Sequence, residues 1–352
     1  MIKNEILYKI PGYQSDWSFT PLTSGLINHS YKVSDNNGKD FLLQQVNQSV
    51  FTQPLLLTVN YRELRNYLSQ SHSNYRIPAP LLFADGRENY TDDEGNYWRL
   101  MEFIPGSISY LSAETTEQVA ETASTFAAFT KIFSGMDSSK LKETIPGFHD
   151  LSLRYTQFIS AADNAGKIRL DLGTGLINFL LNRKTYVTLF ENIRDSGHFP
   201  LRVMHHDAKM SNILFDESSG KLICPVDFDT TMPGYFFSDP GDMIRSMVSE
   251  FGEAETDLMK LSVRPAFYEA ICNAYLTEMD GVFTAEEKKY FHYAGLLMLY
   301  MQALRFAADF LNDDVYYKIS YPKQNFDRAM NQLTMLIKLE DYLKKADRLP
   351  AF

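Results

Sequence analysis

The chain has 352 residues, an apolar fraction of 45% and a charged fraction of 22%, the composition of an ordinary globular protein. Its length favours about two domains, and an aromatic content of 14% argues against disorder. The net charge of −10 gives no support for a nucleic-acid partner or an anionic membrane surface, so neither is expected.

Cysteine content and hydropathy bear on the cellular compartment. The two cysteines, Cys224 and Cys272, are too few for a disulfide framework and fit a reducing cytoplasm, which is the expected location. The charged N-terminal ten residues do not predict a signal peptide. No run of about 18 apolar residues predicts a membrane-spanning helix.

The first hundred residues are predicted to be rich in strands. Turn-like polar stretches separate short apolar segments, which is typical of antiparallel hairpins. One amphipathic segment, with Pro54 in its first turn, predicts a helix. The predicted elements are strands at 17–23, at 29–33 and near 41–43, a helix at 53–69, and strands at 81–84 and 97–103.

Helices are predicted to dominate the rest of the chain, where apolar residues recur at helical spacing. One hairpin interrupts them, with strands at 213–215 and 222–224. The predicted fold class is therefore α+β, with a small β-rich lobe at 1–104 and a larger, mainly helical lobe at 105–352. The long helices are predicted at 115–133, within 170–195, at 286–310 and at 326–345.

The segment that begins at residue 205 contains the residues expected to carry the chemistry. Phosphoryl transfer needs a base beside the attacking hydroxyl and oxygen ligands for Mg²⁺. Asp207 can accept the hydroxyl proton, and Asn212 can offer an amide oxygen to the metal. The predicted hairpin then turns the chain back, so Asp227 is expected next to Asn212, as a second metal ligand. Lys209 either touches the γ-phosphate or faces solvent, and both alternatives stay open.

The residue two positions beyond Asp227 has two alternative roles. Asp229 can be a further Mg²⁺ ligand, or it can cap the turn at 230–234. His205 is interpreted as a structural residue that holds the loop backbone. An Asp-x4-Asn pair also arises by chance, and only its combination with the hairpin spacing and the order of the lobes indicates a kinase site.

These residues carry a resemblance. His205, Asp207 and Asn212, followed by the sequence at 227–229, resemble the catalytic loop and the metal-binding aspartate of the protein-kinase-like superfamily. Residues 234–245 are similar to the D-x-G-D stretch of its aminoglycoside phosphotransferase and choline kinase branch. Within that branch the chain resembles the N-acetylhexosamine 1-kinases. The segments that carry this narrower resemblance are 24–33, 41–47 and 305–309 through 317.

The resemblance implies a two-lobed kinase fold, ATP and Mg²⁺ as cofactors, and a small-molecule acceptor. The expected reaction is transfer of the γ-phosphate to a sugar hydroxyl, the anomeric hydroxyl of an N-acetylhexosamine, in carbohydrate metabolism. Two alternatives remain: the same chemistry on an aminoglycoside, choline or homoserine, and a nucleotide-binding module without turnover. The oligomeric state is left open.

The expected nucleotide contacts lie in the first lobe. Backbone amides of the loop that includes Ser24, Gly25 and Asn28 are candidates to cover the phosphates, unless the loop is a plain hairpin turn. The resemblance implies that the backbone of Glu102 and Ile104 bonds the adenine edge; the alternative is a linker.

One position departs from the superfamily. Its members usually carry a phosphate-pairing lysine on the third strand, where this chain has Gln44. A neutral amide cannot replace the charge of an ammonium group. Glu63 on the following helix then lacks its usual ion-pair partner, although it can hydrogen-bond to Gln44. This departure motivates the alternative of a module without turnover.

The acceptor is expected to meet carboxylates and arginines that hydrogen-bond to adjacent hydroxyls. Each candidate has an ordinary alternative. Asp239 precedes Pro240 and can cap a helix, Asp242 and Arg245 can form a surface pair, and Arg305 can pair with Asp309 on one helix. Arg305 is favoured because an arginine in an apolar helix needs a polar partner. The acceptor candidates are His29, Asp207, Asp239, Asp242, Arg245, Arg305 and Tyr317.

Overall fold

The structure is a computed structural model that describes residues 4–22, 27–71 and 73–351. Its α-helices are α1 (Asn4–Leu7), α2 (Leu55–Gln70), α3 (Thr116–Ile132), α4 (Leu151–Asn164), α5 (Lys167–Leu181), α6 (Thr185–Asp195), α7 (Ser238–Met247), α8 (Pro265–Glu278), α9 (Ala285–Tyr290), α10 (Tyr293–Leu311) and α11 (Gln324–Lys345). Its strands are β1 (Ser18–Leu22), β2 (His29–Ser34), β3 (Asp40–Gln45), β4 (Pro80–Leu81), β5 (Asn89–Thr91), β6 (Tyr97–Glu102), β7 (Ser107–Ile108), β8 (Arg202–Met204), β9 (Ile213–Asp216), β10 (Leu222–Pro225) and β11 (Met232–Gly234).

The chain divides into two compact units. The first gathers the N-terminal strands with two segments from later in the chain, and the second gathers most of the helices. The lobe boundary between residues 104 and 105 stays a prediction. The first unit consists of Met1–Ser109, Ser139–Pro146 and Ile213–Met232, and the second of Tyr110–Ser138, Gly147–Asn212 and Pro233–Phe352.

An antiparallel sheet with the strand order β1-β2-β3-β6-β4 forms the base of the first unit, and β5 also pairs with β6. Phe41 and Leu43 of β3 are buried in an apolar core. Because successive side chains of a strand point to opposite faces, Gln44 lies on the other face. The register pairs Gln44 with Ser30 of β2 and with Arg99 of β6, so these three polar side chains lie side by side.

Helix α2 joins the sheet to the segment at the end of the β9-β10 hairpin. The side chain of Asn60 is buried, and its Nδ2 donates to the carbonyl oxygens of Lys142 (2.8 Å) and Thr231 (3.0 Å). The ring of Tyr61 packs edge-on against Phe228, with the centroids 5.8 Å apart. These contacts fix the position of the residues around 227–231 within the first unit.

The second unit is organised around α10, which packs against α4, α5, α7 and α11. Among the described helices α10 alone is long and apolar enough to span a membrane, and 83% of its apolar window is buried in the fold, as in the core helix of a globular protein. Gly241 allows α7 to approach it closely, since a Cβ there would lie 2.5 Å from the carbonyl oxygen of Ala294. Helix α7 is therefore held at a short distance from the core helix.

The α+β fold class is confirmed, with an N-terminal sheet and a larger helical region. The hairpins, the helix α2 and the final helix α11 also agree with prediction. The single helix expected within 170–195 is wrong, because α5 ends at Leu181 and α6 begins at Thr185. The single helix expected at 286–310 is likewise two, since α9 ends at Tyr290 and α10 begins at Tyr293. The sequence patterns also missed the helices α1, α4 and α8 and the strands β5, β7, β8 and β11.

Candidate active site

A buried carboxylate holds the backbone of the loop that leaves β8. Asp239 is fully buried, and its Oδ2 and Oδ1 accept hydrogen bonds from the backbone N–H groups of His205 (2.9 Å) and His206 (2.8 Å). The helix-cap alternative for Asp239 is wrong, because α7 begins one residue earlier and has no side-chain cap at Phe237. Asp239 binds the loop instead.

The loop has a strained backbone. His206 has φ = 64°, in the left-handed region that a residue with a side chain adopts at a cost of about 1–3 kcal/mol. A Cβ on Gly234 would overlap the ring of His206, so only glycine fits opposite it. The ring of His205 is buried edge-on against Phe126 and Phe129, in agreement with a structural role. The loop conformation is thus imposed by its surroundings.

Asp207 lies in this loop within a network of short contacts. Lys209 Nζ is 2.8 Å from Asp207 Oδ2, so Lys209 does not simply face solvent. Asn212 Nδ2 donates to the same oxygen and to the Asp207 carbonyl oxygen, both at 2.8 Å. This leaves Asp207 Oδ1 and Asn212 Oδ1 without a hydrogen bond from any residue that the structure describes. The Asp207 side chain is 25% exposed and can be reached by a small molecule.

The charge state of Asp207 follows from these neighbours. Burial raises the pKa of Asp207, but attraction to Lys209 and the hydrogen bonds outweigh burial and hold the pKa below its usual range. The carboxylate is therefore ionised at neutral pH. It can orient an acceptor hydroxyl and accept its proton as the oxygen–phosphorus bond forms.

Asp242 and Arg245 form an ion pair, with Arg245 Nη2 2.7 Å from Asp242 Oδ1. The expectation of a surface pair is wrong, because the Asp242 side chain is 5% exposed and the Arg245 side chain 14%. Burial raises the pKa of Asp242 in spite of Arg245. Asp242 Oδ2 is buried and has no hydrogen-bond partner. A buried oxygen without a donor costs about 1–3 kcal/mol, so this atom is suited to accept a bond from a ligand.

Arg305 lies among aromatic rings. Its guanidinium is 5.1 Å from the ring centroid of Phe148 and 5.7 Å from that of Tyr317, and Nη1 donates to Gln302 (3.1 Å). The structure describes both Arg305 and Asp309 and records no ion pair between them, so that alternative is wrong. Asp309 instead accepts hydrogen bonds from residues beyond the end of α10. The donors are the backbone N–H groups of Tyr316 (2.8 Å) and Tyr317 (2.9 Å) and Nδ2 of Asn325 in α11 (2.9 Å).

Sequence reasoning missed three neighbours of Arg305. The ring of His149 stacks on Phe148 and lies 4.8 Å from the ring of His206, which connects this cluster to the loop of Asp207. Burial, then the proximity of Arg305, lowers the pKa of Arg154 to about 10. Neither arginine has an ion-pair partner in the described part of the chain. We call these residues, Phe148, His149, Arg154, Arg305 and Tyr317, the cationic-aromatic cluster.

The first unit contains the Asp227–Asp229 segment. Asp227 has φ = 63°, a second left-handed residue with a side chain. The carboxylate of Asp229 accepts hydrogen bonds from both terminal nitrogens of Arg99 (2.5 and 2.9 Å) and from Asn28 Nδ2 (2.8 Å). Thr144 donates to its carbonyl oxygen (2.7 Å). Neither alternative for Asp229 included this arginine.

Gln44 is part of the same network. Its Oε1 accepts a hydrogen bond from Arg99 Nε (2.9 Å), and its Nε2 donates to Ser30 Oγ (2.9 Å). The hydrogen bond that Glu63 could have formed with Gln44 is absent, since the structure describes both side chains and records no bond between them. Arg99 lies in the middle of a strand without a recognisable motif, and no sequence pattern indicated it.

The other residues that were predicted to bind the nucleotide have different surroundings in the structure. Ser24 and Gly25 lie outside the described residues. Asn28 Oδ1 accepts the backbone N–H of Asn47 (3.0 Å), so both ends of its amide are engaged. The N–H of Glu102 donates to the carbonyl oxygen of Ala79 (2.7 Å), and Ile104 is buried. His29 is exposed at the start of β2, in the first unit.

Comparisons with known proteins identify relatives. A family model described as "Phosphotransferase enzyme family" matches residues 18–284. The fold is similar to an aminoglycoside phosphotransferase from Alicyclobacillus acidocaldarius (TM-score 0.62, 14% identity, 98% of this chain and 97% of that chain). It is also similar to a microcompartment-associated aminopropanol kinase (0.60, 16%, 98% and 97%) and to an amicoumacin kinase in complex with AMP-PNP, Ca²⁺ and Ami (0.60, 14%, 96% and 90%). The predicted enzyme class, a phosphotransferase with an alcohol group as acceptor, is confirmed.

Proposed function

The chain belongs to the phosphotransferase enzyme family, and from this premise we propose that it transfers the γ-phosphate of ATP to a sugar hydroxyl. The expected acceptor group is the anomeric hydroxyl of an N-acetylhexosamine. The single observation that carries the choice of a neutral acceptor is the charge of the cationic-aromatic cluster. Arg154 and Arg305 have no ion-pair partner among the described residues, whereas Asp207 and Asp242 each have a cation of their own.

This distribution of charge disfavours a cationic acceptor. The ammonium group of choline or of an aminoglycoside would approach two unpaired guanidinium groups, and like charges in a partly buried site repel each other strongly. A sugar carries no charge. Its hydroxyls can donate to Asp242 Oδ2 and accept from Arg305, and its apolar face can lie on the ring of Tyr317 or Phe148.

The residues of the loop receive roles in the proposed reaction. Asp207 orients the acceptor hydroxyl and accepts its proton through Oδ1, and Lys209 contributes positive charge near the γ-phosphate. Asn212 fits a magnesium ligand, since its Nδ2 is held by Asp207 and its Oδ1 faces no other donor in the described chain. Asp227 is proposed as the second ligand. Mg²⁺ would supply neutralisation of the phosphate oxygens.

Other predicted residues are assigned more narrowly. The Asp229 carboxylate already accepts three hydrogen bonds, from Arg99 and Asn28, so a metal ion would have to share it with these donors. The carbonyl of Glu102 and the N–H of Ile104 are proposed to bond the adenine edge, since the N–H of Glu102 is already engaged. A cytoplasmic location belongs to the same proposal, because Cys224 and Cys272 are both buried free thiols.

An amino alcohol is the second candidate acceptor. The observation that favours it is the similarity of the fold to an aminopropanol kinase and an aminoglycoside phosphotransferase. At 14–16% identity this similarity says nothing of the acceptor pocket. The charge of the cluster therefore decides the ranking.

An acceptor panel tests the proposal. Purified protein with ATP and Mg²⁺ is incubated with N-acetylhexosamines, other sugars, choline, aminoglycosides and homoserine, and ADP release is followed. We expect turnover with N-acetylhexosamines, and phosphorus NMR of the product should show a phosphate on the anomeric oxygen. Turnover with the cationic acceptors and none of the sugars would sink the sugar assignment, and no acceptor-dependent turnover at all would favour a module without activity.

Two variants distinguish the loss of the catalytic base from a general effect on the fold. Asp207→Ala is expected to abolish turnover while binding of a non-hydrolysable ATP analogue, measured by calorimetry, stays close to that of the wild type. The matched control is Asp171→Ala on α5, where the carboxylate forms an exposed pair with Lys167. This control should keep full activity. Full turnover by Asp207→Ala would refute its assignment as the base.

A further inference from the structure

The positive charge that is missing from β3 is present on the neighbouring strand. Gln44 occupies the position where the superfamily usually has a phosphate-pairing lysine. In the sheet register Gln44 lies directly opposite Arg99 of β6, on the same face. A long cationic side chain on the adjacent strand can thus bring its charge to the region above β3.

Gln44 orients this arginine. Its Oε1 accepts the Nε–H of Arg99, and its Nε2 is fixed by Ser30, so the amide is held with its acceptor towards the guanidinium. A lysine at position 44 would offer no acceptor and would place a second cation beside Arg99. The neutral residue on β3 and the arginine on β6 therefore fit each other as a pair.

The guanidinium keeps donors for a ligand. Of its five N–H groups, one bonds Gln44 and two bond Asp229 in the hydrogen bonds recorded among described residues. One N–H on each terminal nitrogen remains. These two N–H groups point away from each other, so each can donate to a different phosphate oxygen, and the guanidinium also brings its charge.

The surroundings of Arg99 belong to the expected nucleotide side. Asn28, the last residue of the loop predicted to cover the phosphates, bonds the same carboxylate of Asp229. Burial lowers the pKa of Arg99, but the attraction of Asp229 and Asp227 outweighs it, so the guanidinium stays protonated. Buried ion pairs are often no more stabilising than packed apolar side chains, so stability alone gives weak reason for an arginine here.

We propose that Arg99, oriented by Gln44, is the cation that binds the α- and β-phosphates of the nucleotide in this protein. It takes the place of the strand lysine that Gln44 replaces. The inference rests on the proposed use of ATP. The competing role for Arg99 is purely structural, in which it only anchors Asp229.

Calorimetric titrations with AMP-PNP and with adenosine, both in Mg²⁺ buffer, distinguish these roles, because adenosine has no phosphates. Arg99→Met keeps the length of the side chain and removes its charge. We expect affinity for AMP-PNP to fall about 10- to 100-fold, the loss of one or two hydrogen bonds to a charged group, while adenosine affinity stays within about twofold. Arg99→Lys should fall between the wild type and Arg99→Met.

The control is Arg183→Met, which removes the arginine of another largely buried ion pair, with Glu340, outside the proposed site. It should bind AMP-PNP within a few-fold of the wild type if Arg99 binds phosphate. The double variant Gln44→Lys/Arg99→Met moves the cation back to β3 and should recover at least about fivefold in AMP-PNP affinity over Arg99→Met. Circular dichroism and melting curves check that each variant is folded.

The outcomes that overturn the proposal are distinct. Equal losses of AMP-PNP and adenosine affinity in Arg99→Met show a structural role only. Equal losses of AMP-PNP affinity in Arg99→Met and Arg183→Met show the same. If Arg99→Met does not fold, unchanged AMP-PNP affinity in Arg99→Lys refutes the proposal. A wild-type protein that binds AMP-PNP no better than adenosine would instead refute the proposed use of ATP.

Discussion

The bond between Asp239 and the catalytic loop gives the sharpest quantitative prediction. In Asp239→Asn one of the two carboxylate oxygens becomes an NH₂ group, which cannot accept a hydrogen bond. The backbone N–H of either His205 or His206 then loses its acceptor and faces this NH₂ group. The loss of one hydrogen bond to a buried carboxylate costs about 1.5–3 kcal/mol. The unpaired N–H adds a further cost, but the neutral amide removes the cost of burying a charge, and these two terms offset each other. We expect the free energy of unfolding to fall by about 2–3 kcal/mol.

The same substitution should slow catalysis, because the clamp holds His206 in its strained conformation. Release of about 1–3 kcal/mol of strain lets the loop relax and displaces the adjacent Asp207. We expect kcat to fall at least about tenfold, which corresponds to about 1.4 kcal/mol of lost transition-state stabilisation. The effect on kcat is therefore separate from the effect on stability.

The assay combines urea unfolding with initial rates of ADP release at pH 8.5. At this pH Asp239 is ionised in the wild type, although burial raises its pKa to about 7. The matched control is Asp92→Asn in the turn between β5 and β6. Asp92 is also buried, and its Oδ1 accepts the backbone N–H groups of Glu94 (3.0 Å) and Asn96 (2.8 Å) while its Oδ2 accepts two side-chain donors.

The control should lose stability to a similar extent and keep the wild-type kcat. A normal kcat in Asp239→Asn, with stability reduced, would show that the loop keeps its conformation without the carboxylate and would refute the reasoning from strain. Equal losses of kcat in both variants would attribute the effect to general destabilisation.

Three further predictions follow from single contacts. Lys209→Met removes the attraction that holds the pKa of Asp207 low, so the acid limb of the pH profile of kcat/KM should move to higher pH. An acid limb at the wild-type pH would contradict the assignment of Asp207 as the group that titrates. Glu287→Gln breaks the buried ion pair with Arg202, whose Nη2 lies 2.6 Å from Glu287 Oε2. The free energy of unfolding in urea should fall by about 3–5 kcal/mol, and a fall of less than about 1 kcal/mol would show that the pair is solvated. Burial lowers the pKa of His292 to about 4, below the roughly 6.5 of an unfolded chain, so the unfolded state binds more protons between these values. Stability should thus be complete above about pH 6.5 and fall by about 1.4 kcal/mol per pH unit below it, a slope that His292→Asn should remove.

The elements that could be predicted from the sequence are those with local signals. The hairpin of β9 and β10 is marked by two short apolar runs and a polar turn with Gly220, and α11 by an apolar stripe of several turns. The breaks between α5 and α6 and between α9 and α10 carry neither glycine nor proline, the usual marks of a helix end, so a continuous helix was expected there. Their geometry depends on packing against distant elements.

The same distinction applies to the site. Asp207, Lys209 and Asn212 are close in sequence, and a motif search finds them together. Arg99 and Asp229 are 130 residues apart, and the network that joins them has no local pattern. The cationic-aromatic cluster likewise combines the start of α4 with the end of α10, and α4 itself was not predicted.

The pairing of charges in the second unit argues for a neutral acceptor more strongly than any one residue does. An ammonium group would need a carboxylate. Of the three candidates, Asp207 and Asp242 are already bound to Lys209 and Arg245, and Asp239 is held by two backbone N–H groups. Taking Asp242 from Arg245 would break a buried ion pair and leave the guanidinium with Glu253 as its remaining partner, which costs binding affinity. A sugar hydroxyl needs no such exchange, because it can donate to the free Oδ2 of Asp242 while the pair stays intact. The proposed preference for an uncharged acceptor therefore rests on the ion pairs of Asp207 and Asp242, which occupy these carboxylates and still leave hydrogen-bonding atoms for the ligand.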